Sequence, residues 1–220
     1  MQRELPTSQA SAPARTHRVH TVTGWGEVHV AGDVALLRHP GVAIIGSRRS
    51  SHAGREAAGM IATSLAHANI VVISGLAAGI DGVAHEATMA AGGRTMAVIG
   101  TSLDISYPKD HTALQERIAL EHLVVSPFDS GTPMSAWHFP KRNRLMARLA
   151  QATVLIEASS KSGTRHQVTA CASLGRPIFA PAHLVEALDW LSAPSVRACL
   201  QVWREPRDVV AALTGRPAIC

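Results

Sequence analysis

The sequence predicts an α/β fold with an open, doubly wound and mostly parallel sheet covered by helices on both faces. Three observations carry this. From Gly41 onward, short apolar runs alternate with stretches of helical period, which is the signature of βαβ units. Five of the six runs are almost continuously apolar, as strands covered on both faces must be. Several runs end in turns of small, polar or basic residues, the kind that lines the crevice beyond the carboxyl ends of parallel strands. An open doubly wound core follows from these three together.

The elements fall in order along the 220 residues, a length that suits one medium domain with short extensions. Residues 1–40 are expected to form a flexible extension, because Met1 to about Thr23 is rich in Ser, Thr, Pro and Ala and lacks apolar periodicity. Trp25, Val28, Val30, Val34, Leu36 and Leu37 around Gly26 and Gly32 suggest a short edge element after it. The core is expected over residues 41–181. Its strands are Val42 to Ile45, Ile70 to Ile73, Thr95 to Ile99, Leu123 to Val125, Val154 to Ile156 and Pro177 to Phe179. Its helices are placed at about Gly54 to Ala68, Asp81 to Ala91, His111 to Leu120, Asn143 to Ala150 and Thr164 to Leu174. Residues 182–220 read as a short helical tail, with apolar patches at Leu184 to Leu191 and Val209 to Leu213.

Composition excludes several classes. No apolar run approaches the roughly 18 residues of a bilayer span, and the first twenty residues lack a secretory apolar stretch, so a cytoplasmic protein without membrane contact is expected. Cys171, Cys199 and Cys220 form neither an even framework nor a CxxC pair, so reduced thiols are expected rather than a disulfide scaffold or zinc knuckle. Neither HExxH nor a metal-spaced set surrounds His52 or His85, and no GxSxG elbow accompanies the serines, so no metal and no catalytic residue is assigned. The formal net charge is +5, and the basic residues are 18 Arg against 3 Lys, an inventory suited to bidentate phosphate contacts. Lys141, Arg142, Arg144 and Arg148 fall within eight residues that hold no acid. They read either as a solvated helix start or as a phosphate-neutralising patch.

Three turns carry the candidate chemistry. Ser74-Gly75-Leu76-Ala77-Ala78-Gly79-Ile80-Asp81 joins a strand to a helix, and its glycines let backbone amides approach an anion; otherwise Asp81 is simply the helix cap. The spacing is neither GxGxxG nor GxxxxGK[ST], so no dinucleotide or Walker site is indicated and no cofactor is assigned. Ser47 and Arg48 follow the first core strand and add a hydroxyl and a guanidinium, unless Arg48 pairs with Asp81 or Glu157. Lys161, Ser162, Gly163 and Thr164 form a third donor cluster, with plain helix capping as the alternative. Trp137 and Phe139 precede the basic run and offer stacking surface, or core packing in the case of Phe139.

Taken together, the segments IIGSRRSSHAG (44–54), VVISGLAAGIDGVAHEATMAAGGRTMAVIG (71–100), LDISYP (103–108), HFPKRNRLMARLA (138–150) and VLIEASSKSGTRHQVTACASLGRPIFAP (154–181) resemble the Rossmann-like core of the DNA-processing protein A (DprA or Smf) family, in a short version. The resemblance implies a single-stranded DNA binder that protects incoming strands in natural transformation and hands them to the RecA recombinase, without a catalysed reaction, and that forms a homodimer. Carried over position by position, the DNA-facing residues would be Ser47, Arg48, Ser74, Gly75, Gly79, Asp81, Lys141, Arg142, Asn143, Arg144, Lys161, Ser162 and Gly163. Two loops depart from the family pattern, Ser126-Pro127 and Pro181-Ala182. Two other readings compete. One is a sensor of a nucleotide or other small phosphate. The other is a phosphoribohydrolase of the lysine-decarboxylase-like (LOG) group, whose PGGxGTxxE signature would end here on Gln167, a side chain unable to exchange a proton near neutral pH.

Overall fold

The computed structural model describes residues 17–215. Nine strands form one sheet in the order β1-β2-β6-β5-β4-β3-β7-β8-β9. The strands are β1 (Arg18–Val22), β2 (Gly26–Gly32), β3 (Gly41–Ile45), β4 (Val71–Ser74), β5 (Thr95–Val98), β6 (Leu123–Ser126), β7 (Ala152–Leu155), β8 (Ile178–Pro181) and β9 (Leu200–Trp203). The helices are α1 (His52–His67), α2 (Ile80–Ala90), α3 (Thr112–Glu121), α4 (His138–Leu149), α5 (Thr164–Ser173), α6 (Ala182–Ala187), α7 (Pro194–Arg197) and α8 (Pro206–Thr214). From β3 the chain winds outward through β4 and β5 to β6, then returns to lay β7 beside β3 and winds the other way. The seven strands β3 to β9 pair in parallel, so the doubly wound architecture is as the sequence predicts.

The period-2 alternation of each strand distributes side chains to two cores. Along β3, Val42 and Ile44 face a core with Ala58, Ile61 and Leu65 of α1, while Ala43 and Ile45 face one with Leu145 and Met146 of α4 and Val168 and Cys171 of α5. A third cluster around Ile99, Leu103 and Ile118 packs α3 against β5 and β6. Every residue of β3 to β8 is buried, which explains why these strands are legible as apolar runs.

Both ends differ from expectation. Arg18–Val22, read as part of a flexible extension, pairs antiparallel with β2, and β2 pairs antiparallel with β6. The rest of that extension, residues 1–16, lies outside the described residues, as does Cys220. The tail read as helical supplies β9, which pairs with β8 from Ile178↔Leu200 to Pro181↔Trp203. Both misread strands lie at sheet edges, where half-exposed sequences such as RVHTV lack the apolar signal of a covered strand. Cys171 and Cys199 are free thiols. Among the described residues, no helix is long and apolar enough to cross a membrane.

Candidate functional site

In a doubly wound sheet the winding reverses at one place, and there the loops after adjacent strands diverge and leave a crevice. Here the reversal lies between β3 and β7. A cavity of about 480 Å³ opens above it, lined by Gly46–Arg49 after β3, by Ser162–Thr164 at the start of α5, and by Phe139, Asn143 and Met146 of α4. Arg48 also borders a narrower cavity of about 140 Å³ with Gly100, Tyr107 and Phe139.

Arg48 is exposed, and its guanidinium carbon stands 5.3 Å from the centre of the Phe139 ring. It pairs with neither Asp81 nor Glu157. The Glu157 carboxylate instead accepts from the Ser51 amide (3.0 Å) and hydroxyl (2.8 Å), fixing the residue that caps α1. Ser47 accepts from the Arg49 amide (3.1 Å), a local turn that lifts Arg48 toward the cavity. Phe139 seats on Gly100, where a Cβ would lie 2.8 Å from the ring, and its centroid is 5.5 Å from that of Tyr107. Half-buried in this way, Phe139 is part cavity wall and part packing.

The Gly75–Gly79 loop differs from its sequence reading. Its Ala77 amide donates to the Asp81 carboxylate (3.3 Å), and the Ser74 hydroxyl and Gly75 amide also face that carboxylate, so the anion in this loop is the protein's own. Burial drives the Asp81 pKa up, and the nearby Arg142 charge offsets part of that rise. Asp81 lies in the first turn of α2, whose cap is Gly79. Ser74 is fully buried and donates to the Ile44 carbonyl (2.6 Å), which removes it from the surface altogether. Gly79 has φ +79°, and an added Cβ would stand 2.3 Å from the Ser47 carbonyl oxygen, while the Ile80 amide donates to that same oxygen (3.2 Å). Gly79 thus joins the two loops, beside an open groove that also touches Arg48, Arg49 and Arg55. Gly79→Ala is expected to lower stability by roughly 1–3 kcal/mol, since it adds backbone strain to a backbone clash. A thermal melt beside Gly163→Ala, where φ is −65° and a Cβ meets nothing within 4 Å, checks this.

The basic run on α4 divides three ways. Arg142 is 5% exposed and donates to the Gly75 and Val98 carbonyls; burial, only partly opposed by Asp81, pushes its pKa down to about 10. It braces the loops after β4 and β5 instead of presenting a free charge. Lys141 turns away from the cavity, its ammonium 5.0 Å from the Phe128 ring centre and 5.7 Å from that of Trp137. Arg144 is exposed but lines a neighbouring cavity with Arg148. Asn143 reaches across to donate to the Gly163 carbonyl (3.3 Å), setting the position of the α5 start. There Ser162 and Thr164 bond to each other (2.8 Å), and Gly163 itself supplies no side-chain cap. Lys161 is exposed on the same loop but does not line the cavity. Tyr107, Arg49 and His166 also neighbour the site, although the sequence reading names none of them as DNA-facing. Tyr107 lies within LDISYP, yet only the fold brings it to Phe139.

These features define a Rossmann-like protein with a cleft at its topological switch point. The match is specific: the model of the DNA recombination-mediator protein A family covers residues 20–207, and the chain belongs to that family. DNA processing protein DprA of Streptococcus pneumoniae is 39% identical over 158 residues, 71% of this chain and 56% of that protein. The X-ray structure of the S. pneumoniae protein superposes with TM-score 0.74 at 36% identity, covering 85% of this chain and 66% of that one. DNA processing protein A from Helicobacter pylori, whose structure describes a single-stranded DNA binding mode, gives TM-score 0.79 over 92% of this chain and 97% of that one; at 24% identity it speaks for the fold. The match covers between 35% and 56% of the length of the curated relatives from S. pneumoniae, Synechocystis sp. and Bacillus subtilis.

Proposed function

We propose that this protein binds single-stranded DNA in the cleft at the β3/β7 switch point, as a non-enzymatic recombination mediator acting in the cytoplasm. The observation that carries the reading is Arg48: an exposed guanidinium lies against an aromatic ring, with no carboxylate partner among the described residues, at the mouth of a cavity that also holds the start of α5. A phosphate there meets a bidentate donor and a helix N-terminus, and a base meets the Phe139–Tyr107 pair, which suits every base alike. The working residues are therefore Ser47, Arg48, Ser162 and Gly163, with Phe139 and Tyr107 as stacking surface. Gly75, Gly79, Asp81, Arg142 and Asn143 position them.

Protection of incoming strands during transformation, transfer to RecA and homodimer formation complete the proposal, supported by family membership. Glycosidic cleavage would need a carboxylate where Gln167 stands. That side chain is fully buried against Thr153 (3.2 Å), which disfavours it as an acid–base group.

Fluorescence anisotropy with a labelled oligothymidylate at several salt concentrations tests the reading. Log affinity is expected to fall linearly with log salt, with a slope of about −0.7 per phosphate neutralised. Arg48→Glu is expected to weaken binding more than about tenfold, because it removes a charge-assisted hydrogen bond to phosphate and puts a repelling carboxylate in its place. Unchanged affinity would remove Arg48 from the site, and a mononucleotide that binds tightly where the oligomer does not would make the cleft a small-phosphate sensor.

A further inference from the structure

We propose that a second cavity, between the β1–β2 turn and helices α4 and α5, is a nucleotide subsite that holds the single strand where it leaves the cleft. The inference rests on the DNA-binding reading above and extends the path beyond it. The cavity has a volume of about 570 Å³ and is bordered by Trp25, Arg144, Arg148 and Arg165, and among the described residues no aspartate or glutamate lines it. Pro140 and His166 line both this cavity and the cleft, so the two form one continuous surface.

The arginines are not equivalent. Arg148 donates from Nε to the Thr23 carbonyl (3.2 Å), and its guanidinium packs on Gly24 (φ +70°), where an added Cβ would have to displace it. It fastens the hairpin turn to α4 and so sets Trp25 in the cavity wall. Arg144 and Arg165 are exposed and, among the described residues, their guanidinium groups have no carboxylate or hydrogen-bond partner. Arg165 stands in the first turn of α5, where the macrodipole disfavours a cation and where no acidic residue compensates it. Two like charges placed over one cavity, one of them at the wrong end of a helix, form an arrangement that an incoming phosphodiester relieves. Trp25 is half-buried and packed on the core, so it offers a rigid indole face beside those charges, the pairing of basic track and stacking platform that single strands require.

The test compares oligothymidylates of about 4 and about 16 nucleotides, the ends of the usual range for a single binding module. The double variant Arg144→Glu/Arg165→Glu changes two exposed side chains and should leave the fold intact, which circular dichroism verifies. It is expected to weaken the long oligomer about tenfold and to flatten its salt slope by about 1.4, two phosphates' worth, while changing the short oligomer less than about twofold. Arg48→Glu is expected to weaken both lengths. If Arg48→Glu weakens both and the double variant weakens neither, the second cavity is off the path while the cleft reading stands. Equal weakening of both lengths by the double variant would also overturn the subsite, since it would mark a general field effect. Weaker binding with the double variant and none with Arg48→Glu would keep this cavity as a DNA site and remove the cleft.

Discussion

Arg142→Ala is expected to destabilise the fold by about 3–5 kcal/mol, the usual consequence of removing one member of a buried, hydrogen-bonded charge system. Two effects add. The Gly75 and Val98 carbonyls, the first just after β4 and the second at the end of β5, lose their buried donor. Asp81 loses the nearby charge that offsets its burial, so its pKa rises further and the carboxylate tends to take up a proton. Urea unfolding followed by circular dichroism measures the change. Arg142→Lys keeps the charge, but both carbonyls are served by the single Nη1 nitrogen at the far end of the guanidinium, which the shorter lysine reaches less well, so an intermediate destabilisation is expected. A value below about 1 kcal/mol for the alanine variant would mean that the two carbonyls find other partners and that Arg142 does not brace these loops. Weaker DNA binding in this variant is therefore to be read through the loops it holds, not as a missing phosphate ligand.

The distinction between Arg142 and its neighbours shows how far the sequence can be read. Helix α4 itself is legible, though its first turn is not, because His138-Phe139-Pro140 lacks an N-cap side chain and the apparent helical run begins only at Asn143. The phase of the helix is present in the pattern too: Arg142, Leu145, Met146 and Leu149 recur at helical spacing, which places Arg142 on the apolar stripe, while Arg144 and Arg148 lie one turn apart on another face. Charge density alone merges the four cations into one patch. The Gly75–Gly79 loop misleads for a different reason. Its amides do surround an anion, but local pattern does not tell that Asp81, four residues past Ala77, folds back to become that anion. Arg48 is placed correctly at a strand end. Its freedom from Glu157 depends on Ser51 taking that carboxylate, a pairing 106 residues apart that local patterns do not encode.

Stability is expected to fall steadily as pH drops below about 6.5, mainly through His85. This ring is fully buried on α2, with Nδ1 2.6 Å from the Thr95 hydroxyl. Thr95 donates its one proton to the Val72 carbonyl (2.8 Å), so the imidazole must supply the proton from Nδ1, which leaves Nε2 a bare acceptor with no partner. Protonating Nε2 would put a charge in a dry site that already faces His111, His122 and Arg142, and burial with those charges pushes the His85 pKa down to about 3. The folded pKa lies below the unfolded value of 6.5, so the unfolded chain binds the proton first. Its contribution is complete above pH 6.5 and is lost as pH falls toward 3, at about 1.4 kcal/mol per unit, or ~3 kcal/mol by pH 4.5. His122, also lowered by burial, adds to the same slope. Asp81 works against it near pH 4, because its raised pKa lets the folded state take up a proton more readily than the unfolded one. Urea midpoints between pH 7.5 and 4.5 trace the curve. In His85→Asn the amide still donates to Thr95, so although the smaller side chain lowers stability at neutral pH, most of the acid slope should vanish; a slope equal to that of the unaltered protein would move the acid sensitivity from His85 to His122.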